Sequence, residues 1–440
     1  MSFLDSPGLV SSGGQPARTV GVQFSGRAGS FLGLLVKGAL LQLVTFGFYR
    51  FWLNTDLRRH LWAGTSIDGD ALEYTGRGRE LLIGFLFALA IIGPIFFIYF
   101  LVGIEAERKH PFSSLLLSLF LYFFGQFAIY RARRYRLTRT IWRGVRFWMQ
   151  GSGLAYAWRS FLWALLVGVT LGLALPWRAA ALERYKMRHT FYGDLQGSFV
   201  GKGWDFFKRG VWIWLVAMSV PVTFIVIGVA GYMMNNGTVQ NNAAMLNLAR
   251  QDLSMGLKIL IGLAIFAFYV LILLVPVALY AKYKAIEMKW WVAGVRFGTL
   301  SLTSGLRGRS MLWLYFKMAF FGWLTMVLLS LLIGALAWGS AVALHLDLMN
   351  LSSPAMKEQM QKLFLAYQVP LIIGLALFYI ALLLAFGVVQ RFFLIRGYWR
   401  LVVATLTVSH VEAADAVVAK GSAVSGFGEG LADGLDVAGF

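Results

Sequence analysis

Cysteine is absent from all 440 residues of this sequence. Its absence excludes disulfide bonds, metal sites built on thiolates and a cysteine nucleophile. Histidine is also scarce, with five residues, and no two of them lie at helical ligand spacing from each other. Motifs such as H-E-x-x-H are therefore missing, and no Ser-His-Asp arrangement follows from the spacing. We expect a protein that is not an enzyme, with no catalytic residue, no metal and no cofactor.

Charged residues make up only 14% of the chain, whereas hydrophobic residues make up 59%. Soluble domains carry about a quarter charged residues, so this composition indicates a membrane protein. The alternation typical of a membrane barrel is missing, and the fold class is therefore a mainly α-helical, polytopic bundle. Six apolar segments are long enough to cross the roughly 30 Å hydrocarbon core as helices: 81–104, 111–130, 210–232, 259–281, 318–344 and 363–390.

The formal net charge of +20 is unevenly distributed along the chain. Segment 131–159 holds eight arginines and no acid, 178–209 has seven basic and three acidic residues, and 282–309 has six and one. The loops between paired spans are neutral. This asymmetry is what the positive-inside rule predicts for cytoplasmic segments, so we expect both termini in the cytoplasm and no nucleic-acid partner.

Two segments of the chain match without a gap at a fixed offset of 125 residues, with 13 identities in 53 positions between 26–78 and 151–203. Internal duplication is the best interpretation. Together with weaker copies, these segments predict one repeat-containing membrane domain over 21–409. It is flanked by a flexible polar N-terminus (1–20) and a flexible tail (410–440). The weaker copies lie near 131–159, 282–309 and 391–409.

Each copy, or cassette, has a recognisable order of features. A glycine turn precedes an apolar helix, which leads through Thr-x-Gly to a basic helix with tryptophan at its start. An extended piece follows, in which a polar residue alternates with apolar ones, as in Val145-Arg146-Phe147. This alternation is typical of a half-buried strand. We therefore expect short cytoplasmic β-hairpins gathered in one small sheet.

These features resemble the YjgN family of bacterial inner-membrane proteins, which is defined by a domain of unknown function. The resemblance rests on the Thr-x-Gly before tryptophan, the glycine turns, and the run RRYRLTRTIWRGVRF at 133–147, and it covers about residues 20 to 400. The first cassette departs from it with Tyr49-Arg50-Phe51-Trp52, and the last, around 397–407, is degenerate. The resemblance implies a location in the bacterial inner membrane, and it implies no reaction.

Basic residues interleaved with Trp and Tyr just beyond a span suggest contact with anionic lipid headgroups, because each cation near the membrane surface adds about 1 kcal/mol of attraction. Topology determination alone is the simpler explanation, and a surface for a protein partner is a third. The candidate headgroup residues are Arg131, Arg133, Arg134, Arg136, Arg139, Arg184, Lys186 and Arg188.

The glycine turns are a second candidate for phosphate binding, because successive backbone amides can hold an anion. The Walker spacing is absent, so a tight turn leading into the following helix is the simpler explanation. The residues concerned are Gly76, Arg77 and Gly78 in one turn, and Gly201, Lys202 and Gly203 in the other.

Two functional hypotheses follow from these observations. The first is a non-enzymatic membrane protein that organises anionic lipid or a protein partner at the cytoplasmic face. The alternative is a channel or transporter with a path between the duplicated halves, lined near Gly47 and Gly172. No acidic residue lies inside a predicted span, so the usual proton or cation relay is missing.

Segments 31–49 and 160–177 are marginal in length for a membrane span. A crossing by 160–177 would place its two basic flanks on opposite sides of the membrane, which the positive-inside rule disfavours. We therefore predict that both segments form re-entrant or short helices beside the six spans, and that 160–177 is broken at Thr170-Leu171-Gly172.

Cysteine labelling tests this topology, because the native chain offers no competing thiol. Single cysteines at Ser152 and Ser198 should react with an impermeant maleimide in inverted vesicles and not in intact cells. Opposite accessibility of the two positions would show that 160–177 crosses the membrane.

Overall fold

The structure is a computed structural model that describes residues 18–109, 112, 114–237, 254–343 and 354–421. Most of the described chain is helical. The helices are α1 (Ala28–Val44), α2 (Arg50–Ala63), α3 (Gly78–Lys109), α4 (Ser114–Thr138), α5 (Gly153–Val169), α6 (Leu175–Arg188), α7 (Gly203–Gly237), α8 (Met255–Gly294), α9 (Gly308–Ala343), α10 (Pro354–Gln390), a π-helix (Arg391–Gly397), α11 (Tyr398–Val403) and a short 3-10 helix (Val411–Ala414).

Eleven short strands form a single antiparallel sheet in the described part of the chain. They are β1 (Thr19–Phe24), β2 (Thr65–Ile67), β3 (Asp70–Ala71), β4 (Glu73–Tyr74), β5 (Thr140–Trp142), β6 (Val145–Met149), β7 (Thr190–Tyr192), β8 (Leu195–Phe199), β9 (Val295–Phe297), β10 (Leu300–Ser304) and β11 (Leu406–Ser409). The sheet is larger than the small one expected from the sequence.

The sheet curls into a nearly closed ring. Its strand order runs β3-β2-β1-β11-β10-β9-β8-β7-β6-β5-β4. The two ends of this order, β3 and β4, are separated in the chain by Leu72 alone, whose backbone N–H donates to the Thr65 carbonyl at 2.9 Å. Because one continuous segment pairs with β2 through its first half and with β5 through its second, neither end is left as a free edge.

The ring places every helix pair at the same rim. Each pair of helices begins after one strand and ends before another, and those two strands are antiparallel neighbours in the sheet. The tight turns, such as Asp68-Gly69 and Arg143-Gly144 with positive φ angles, lie at the opposite rim. At the rim of the turns, β1 and β11 are also neighbours, but no turn joins them, because they come from the two ends of the described chain.

Three of the five helix pairs are long and two are short. Within the described residues, five helices are long and apolar enough to cross a membrane, and they cover five of the six predicted spans. The sixth predicted span, 259–281, lies within the 40-residue helix α8, which is not among those five. The structure therefore supports a membrane protein, while the count of six stays a prediction.

The short pairs are α1 with α2 and α5 with α6, and each is an antiparallel helical hairpin. In the second pair, α5 ends at Val169 with Thr170 as its C-cap, and the chain reverses through Leu171 and Gly172, whose φ angles are +49° and +92°. The Thr170 hydroxyl donates to the Leu166 carbonyl and accepts from the Ala174 N–H, which holds the reversal in place. The predicted break is therefore present, and both ends of the hairpin return to the sheet.

An apolar core fills the ring from strands far apart in sequence. Val22, Trp142, Tyr192, Leu300 and Val408 are buried in one cluster, which requires that they share the inner face. Each strand of two to six residues is unstable alone, so this shared face and the closed hydrogen bonding stabilise the sheet together.

Part of the predicted C-terminal tail packs against the turn rim of this ring. Val411 and Ala414 are buried in the same core, and Asp415 pairs with Arg143 at 2.5 Å. Arg143 also pairs with Asp68 and Asp70, both at 2.6 Å, and so joins three separate parts of the chain. The tail over 411–421 is therefore part of the domain, while 1–17 and 422–440 lie outside the described residues.

The start of α7 packs closely against α6, and Gly203 allows a test of that contact. A Cβ atom there would lie 2.9 Å from the Trp177 backbone, whereas one at Gly210 in the same helix meets nothing within 4 Å. Gly203→Ala should therefore destabilise the protein by about 1–3 kcal/mol. Gly210→Ala should be neutral or stabilise it by about 0.5–1 kcal/mol, since alanine favours helix. Thermal unfolding in detergent measures both, and equal effects would contradict the close approach.

Candidate anion-binding groove

An open groove of about 870 Å³ lies between the start of α5, the end of α6 and strand β8. Three arginines line it: Arg159 from α5, and Arg184 and Arg188 from α6. Arg184 and Arg188 are four residues apart, so they project from one face of the helix, one turn after the other. The antiparallel hairpin brings Arg159 to the same face, although 25 residues separate it from Arg184.

Tyr185 fixes the position of Arg159. The Arg159 guanidinium lies over the Tyr185 ring, 4.3 Å from its centroid. The Tyr185 hydroxyl donates to the Ser152 carbonyl at 2.9 Å, which ties α6 to the first turn of α5. His189 continues this face, with Nδ1 placed 2.7 Å from the Tyr185 carbonyl.

The groove is positively charged and has no internal counterion. Among the described residues, no carboxylate pairs with Arg159, Arg184 or Arg188, and all three side chains are exposed. Polar groups of Gln196 and Ser198 complete the lining from β8. An arrangement of guanidinium groups around an open space is suited to phosphate or carboxylate, because arginine binds such groups with two parallel hydrogen bonds.

Glu183 is next to Arg184 in the sequence but faces the protein interior. Its carboxylate pairs with Arg133 at 3.0 Å and with the Lys186 ammonium. Burial favours the neutral acid, yet the charges of Lys186 and Arg133 and a hydrogen bond from Trp291 prevail and lower the pKa of Glu183 to about 2. Burial lowers the pKa of Lys186, against the attraction of the same carboxylate. This cluster joins α4 to α6 and leaves neither Arg133 nor Lys186 free for a ligand.

The remaining predicted headgroup residues are on α4 and its end, and the structure does not bring them into the groove. Arg139 pairs with Glu80 at 3.0 Å, and the Tyr135 hydroxyl donates to the same carboxylate. The Arg131 guanidinium lies 5.6 Å from the centre of the Phe127 ring. Arg134 and Arg136 are half-buried and engaged with other groups.

The two predicted glycine turns are sites of close packing. A Cβ at Gly78 or Gly203 would meet the backbone of Trp52 or Trp177. A Cβ at Gly76 or Gly201 would meet the ring of the aromatic residue two positions before it.

Carbonyl groups of these turns accept hydrogen bonds from neighbouring helices. Gly76 accepts from Arg59 at 2.7 Å, and Lys202 accepts from Trp290 at 2.9 Å. The Arg77 and Lys202 side chains are exposed and do not line the groove.

Arg159 was not among the predicted headgroup residues, although the basic segment 131–159 ends with it, because its neighbours in α5 are apolar. The available signal was its place in the first two turns of an apolar helix, where a cation beside Tyr156 and Trp158 departs from the surrounding hydrophobicity. Sequence reasoning also missed the Arg143 cluster, since Asp68 and Asp415 are far from Arg143 in sequence.

Comparison with known proteins gives a family but no structure. The family model described as "Bacterial protein of unknown function (DUF898)" matches residues 19–434. Inner membrane protein YjgN of Escherichia coli (strain K12) is 24% identical over 149 residues, which are 34% of this chain and 36% of that protein. The protein of the same name from Salmonella typhimurium (strain LT2) is 25% identical over 152 residues, 34% and 37% of the two chains. The matches therefore span just over a third of these curated relatives. No solved structure matches the chain.

The Glu183 cluster predicts a specific dependence of stability on pH. Because its pKa is lowered from 4.5 to about 2, the ionised carboxyl stabilises the fold above pH 4.5, and this contribution is lost as the pH falls toward 2. Glu183→Gln should destabilise the protein by about 3–5 kcal/mol near neutral pH, because Arg133 and Lys186 lose their counterion.

The same substitution should flatten the acid limb of the unfolding profile between pH 4.5 and 2. Glu105→Gln, at an exposed carboxylate paired with Lys109, is the matched control and should change little. Thermal unfolding across pH measures both variants. A Glu183→Gln protein with wild-type stability would contradict the role of the cluster.

Proposed function

Because this chain belongs to the DUF898 family of bacterial proteins, and its curated relatives are named inner membrane proteins, we propose that it is a multi-pass protein of the bacterial inner membrane that binds anionic lipid headgroups. The proposed site is the groove formed by Arg159, Arg184 and Arg188. The proposed role is non-enzymatic, the organisation of lipid at the cytoplasmic face.

One observation carries this proposal: the helix that contributes Arg159 to the groove, α5, also carries an exposed apolar stripe. Leu154, Trp158, Leu162 and Leu165 are each at least half exposed and follow one another at helical spacing along α5. Arg159 is adjacent to this stripe in the sequence and lines the groove. A phospholipid presents the same two surfaces, an anionic phosphate and acyl chains, at the same boundary.

The topology supports placing this groove at the membrane surface. The α5–α6 hairpin starts and ends at the same rim of the sheet, so its two basic flanks lie on one side. In the proposed arrangement the sheet and both termini are cytoplasmic, the long helices cross the bilayer, and the short hairpins are re-entrant or lie in its surface.

We also infer that the two short hairpins arose by tandem duplication. In each, a threonine, Thr45 or Thr170, caps the C-terminus of the first helix. Its hydroxyl donates to the carbonyl four residues earlier, at 2.7 Å in both hairpins. The next two residues have left-handed φ angles, Phe46-Gly47 in one and Leu171-Gly172 in the other. The matched residues in the sequence thus perform the same local tasks.

The alternative, a channel or transporter, has less support in the described residues. Gly47 and Gly172 lie in the turns at the tips of the short hairpins. Gly172 borders an apolar pocket of about 170 Å³ whose lining includes Leu173, Ile213 and Trp214 and no acidic or basic residue. Substrate-dependent flux in proteoliposomes is the observation that would favour this alternative.

Paired substitution of the exposed arginines tests the lipid proposal. Arg184→Gln with Arg188→Gln should reduce the phosphatidylglycerol that stays bound in neutral detergent about 10-fold or more, since each cation contributes about 1 kcal/mol. Native mass spectrometry counts the retained lipid, with phosphatidylcholine as the zwitterionic comparison.

Arg108→Gln with Lys109→Gln removes the same charge from exposed positions at the far end of α3, and it should leave retention unchanged. Equal losses in both double variants would indicate a general charge effect. Undiminished retention in Arg184→Gln/Arg188→Gln would refute the site.

A further inference from the structure

A second basic groove, of about 520 Å³, lies between the start of α9 and the π-helix. Three cations line it, Lys317, Arg396 and Arg400, and its lining contains no acidic residue. Lys317 directly precedes the predicted span 318–344, and none of the three cations belongs to a site predicted from the sequence. The groove involves none of the residues of the groove beside α6.

The main evidence for an anion site is Arg396, a buried cation without a counterion among the described residues. Only 7% of the residue is exposed. Its guanidinium lies between the rings of Phe24 and Phe392, at 5.8 and 5.7 Å from their centroids, and Nη2 donates to the Gly26 carbonyl at 2.8 Å. Nε has no acceptor, and no carboxylate among the described residues pairs with this side chain. A buried charge left in this state is costly, and a bound anion would compensate it.

The local helix geometry places Arg396 and Arg400 in the same groove as Lys317. Arg396 lies in the π-helix Arg391–Gly397, a rare wide helical turn that is frequent at functional sites. Arg400 follows one turn later and is exposed. Lys317 approaches from α9, with its ammonium 5.4 Å from the centre of the Trp313 ring, so the side chain extends toward the start of that helix.

The rim of the groove is apolar on the side of α9. Trp313 lines the groove and is 55% exposed, and Phe316, which is 48% exposed, stacks on the Trp313 ring at 5.2 Å between centroids. A ligand with a compact anionic group would therefore place that group among the three cations, and any apolar part along these rings.

We propose that this groove binds a phosphate group, held by Lys317, Arg396 and Arg400. The ligand is either a phospholipid headgroup or a soluble phosphate compound, and the phosphate chemistry is common to both. Arg396 provides the buried contact, and the two exposed cations close the site from the opposite sides.

The test uses the full chain in neutral detergent, with inorganic phosphate and phosphatidylglycerol as probes. The background carries Arg184→Gln and Arg188→Gln, so that the groove beside α6 does not contribute. Millimolar inorganic phosphate should raise the unfolding temperature of this protein, and sodium chloride at equal ionic strength should not. Lys317→Gln with Arg400→Gln should weaken the apparent phosphate affinity at least 10-fold.

Two further variants make the result decisive. Arg307→Gln with Arg309→Gln removes the same charge from exposed positions at the start of α9, outside the groove, and should leave phosphate binding unchanged. Arg396→Lys keeps the buried charge but loses the planar donor set, so it should weaken phosphate binding while the protein stays folded.

Competition identifies the source of the phosphate. If phosphatidylglycerol displaces inorganic phosphate, the occupant is a lipid headgroup, and if it does not, the occupant is a soluble phosphate compound. A background protein that responds to neither probe, or a Lys317→Gln/Arg400→Gln variant that binds as well as its control, overturns the proposal. The lipid proposal for the groove beside α6 is unaffected by either result.

Discussion

Closure of the strand ring is the constraint on which the rest of this structure depends. Its strands have two to six residues, too few to be stable in an isolated hairpin. Closing the ring removes the free edges and lets distant strands share one apolar face. Because neighbouring strands are antiparallel, all five helix pairs leave the ring at the same rim. Arg143 reinforces the opposite rim by pairing with Asp68, Asp70 and Asp415.

The position of each cation relative to this ring determines what it does. Successive helix residues point about 100° apart, so Glu183 faces inward and Arg184 outward. Arg133, Arg139 and their acidic partners form internal ion pairs that join neighbouring helices. Arg159, Arg184 and Arg188 face outward, pair with no carboxylate among the described residues, and remain available to an anion. Basic segments that look uniform in the sequence thus contain both cations that form internal ion pairs and cations that are exposed at the surface.

The two proposed grooves lie at corresponding places in different helix pairs. Arg184 and Arg400 each precede by six residues the strand that follows their helix, β7 and β11. In both places the other wall is the first part of an apolar helix, α5 or α9, with exposed aromatic rings. The second groove differs by the buried Arg396, which the wider π-helix positions. Two different helix pairs therefore provide similar surfaces with different chemistry.

The sequence alone determined the class of protein, the apolar helices and the break at Thr170-Leu171-Gly172, because these depend on local composition and on residues close together in the chain. It also indicated short strands, since Val145-Arg146-Phe147 alternates locally. It contained no comparable signal for the number of strands, the ring or the packing of 411–421. Tertiary structure decided the pairing of Arg133 and Arg139, because their partners Glu183 and Glu80 lie about 50 positions or more away in the chain. It also placed Arg159 in the same groove as Arg184, an arrangement that depends on the antiparallel hairpin.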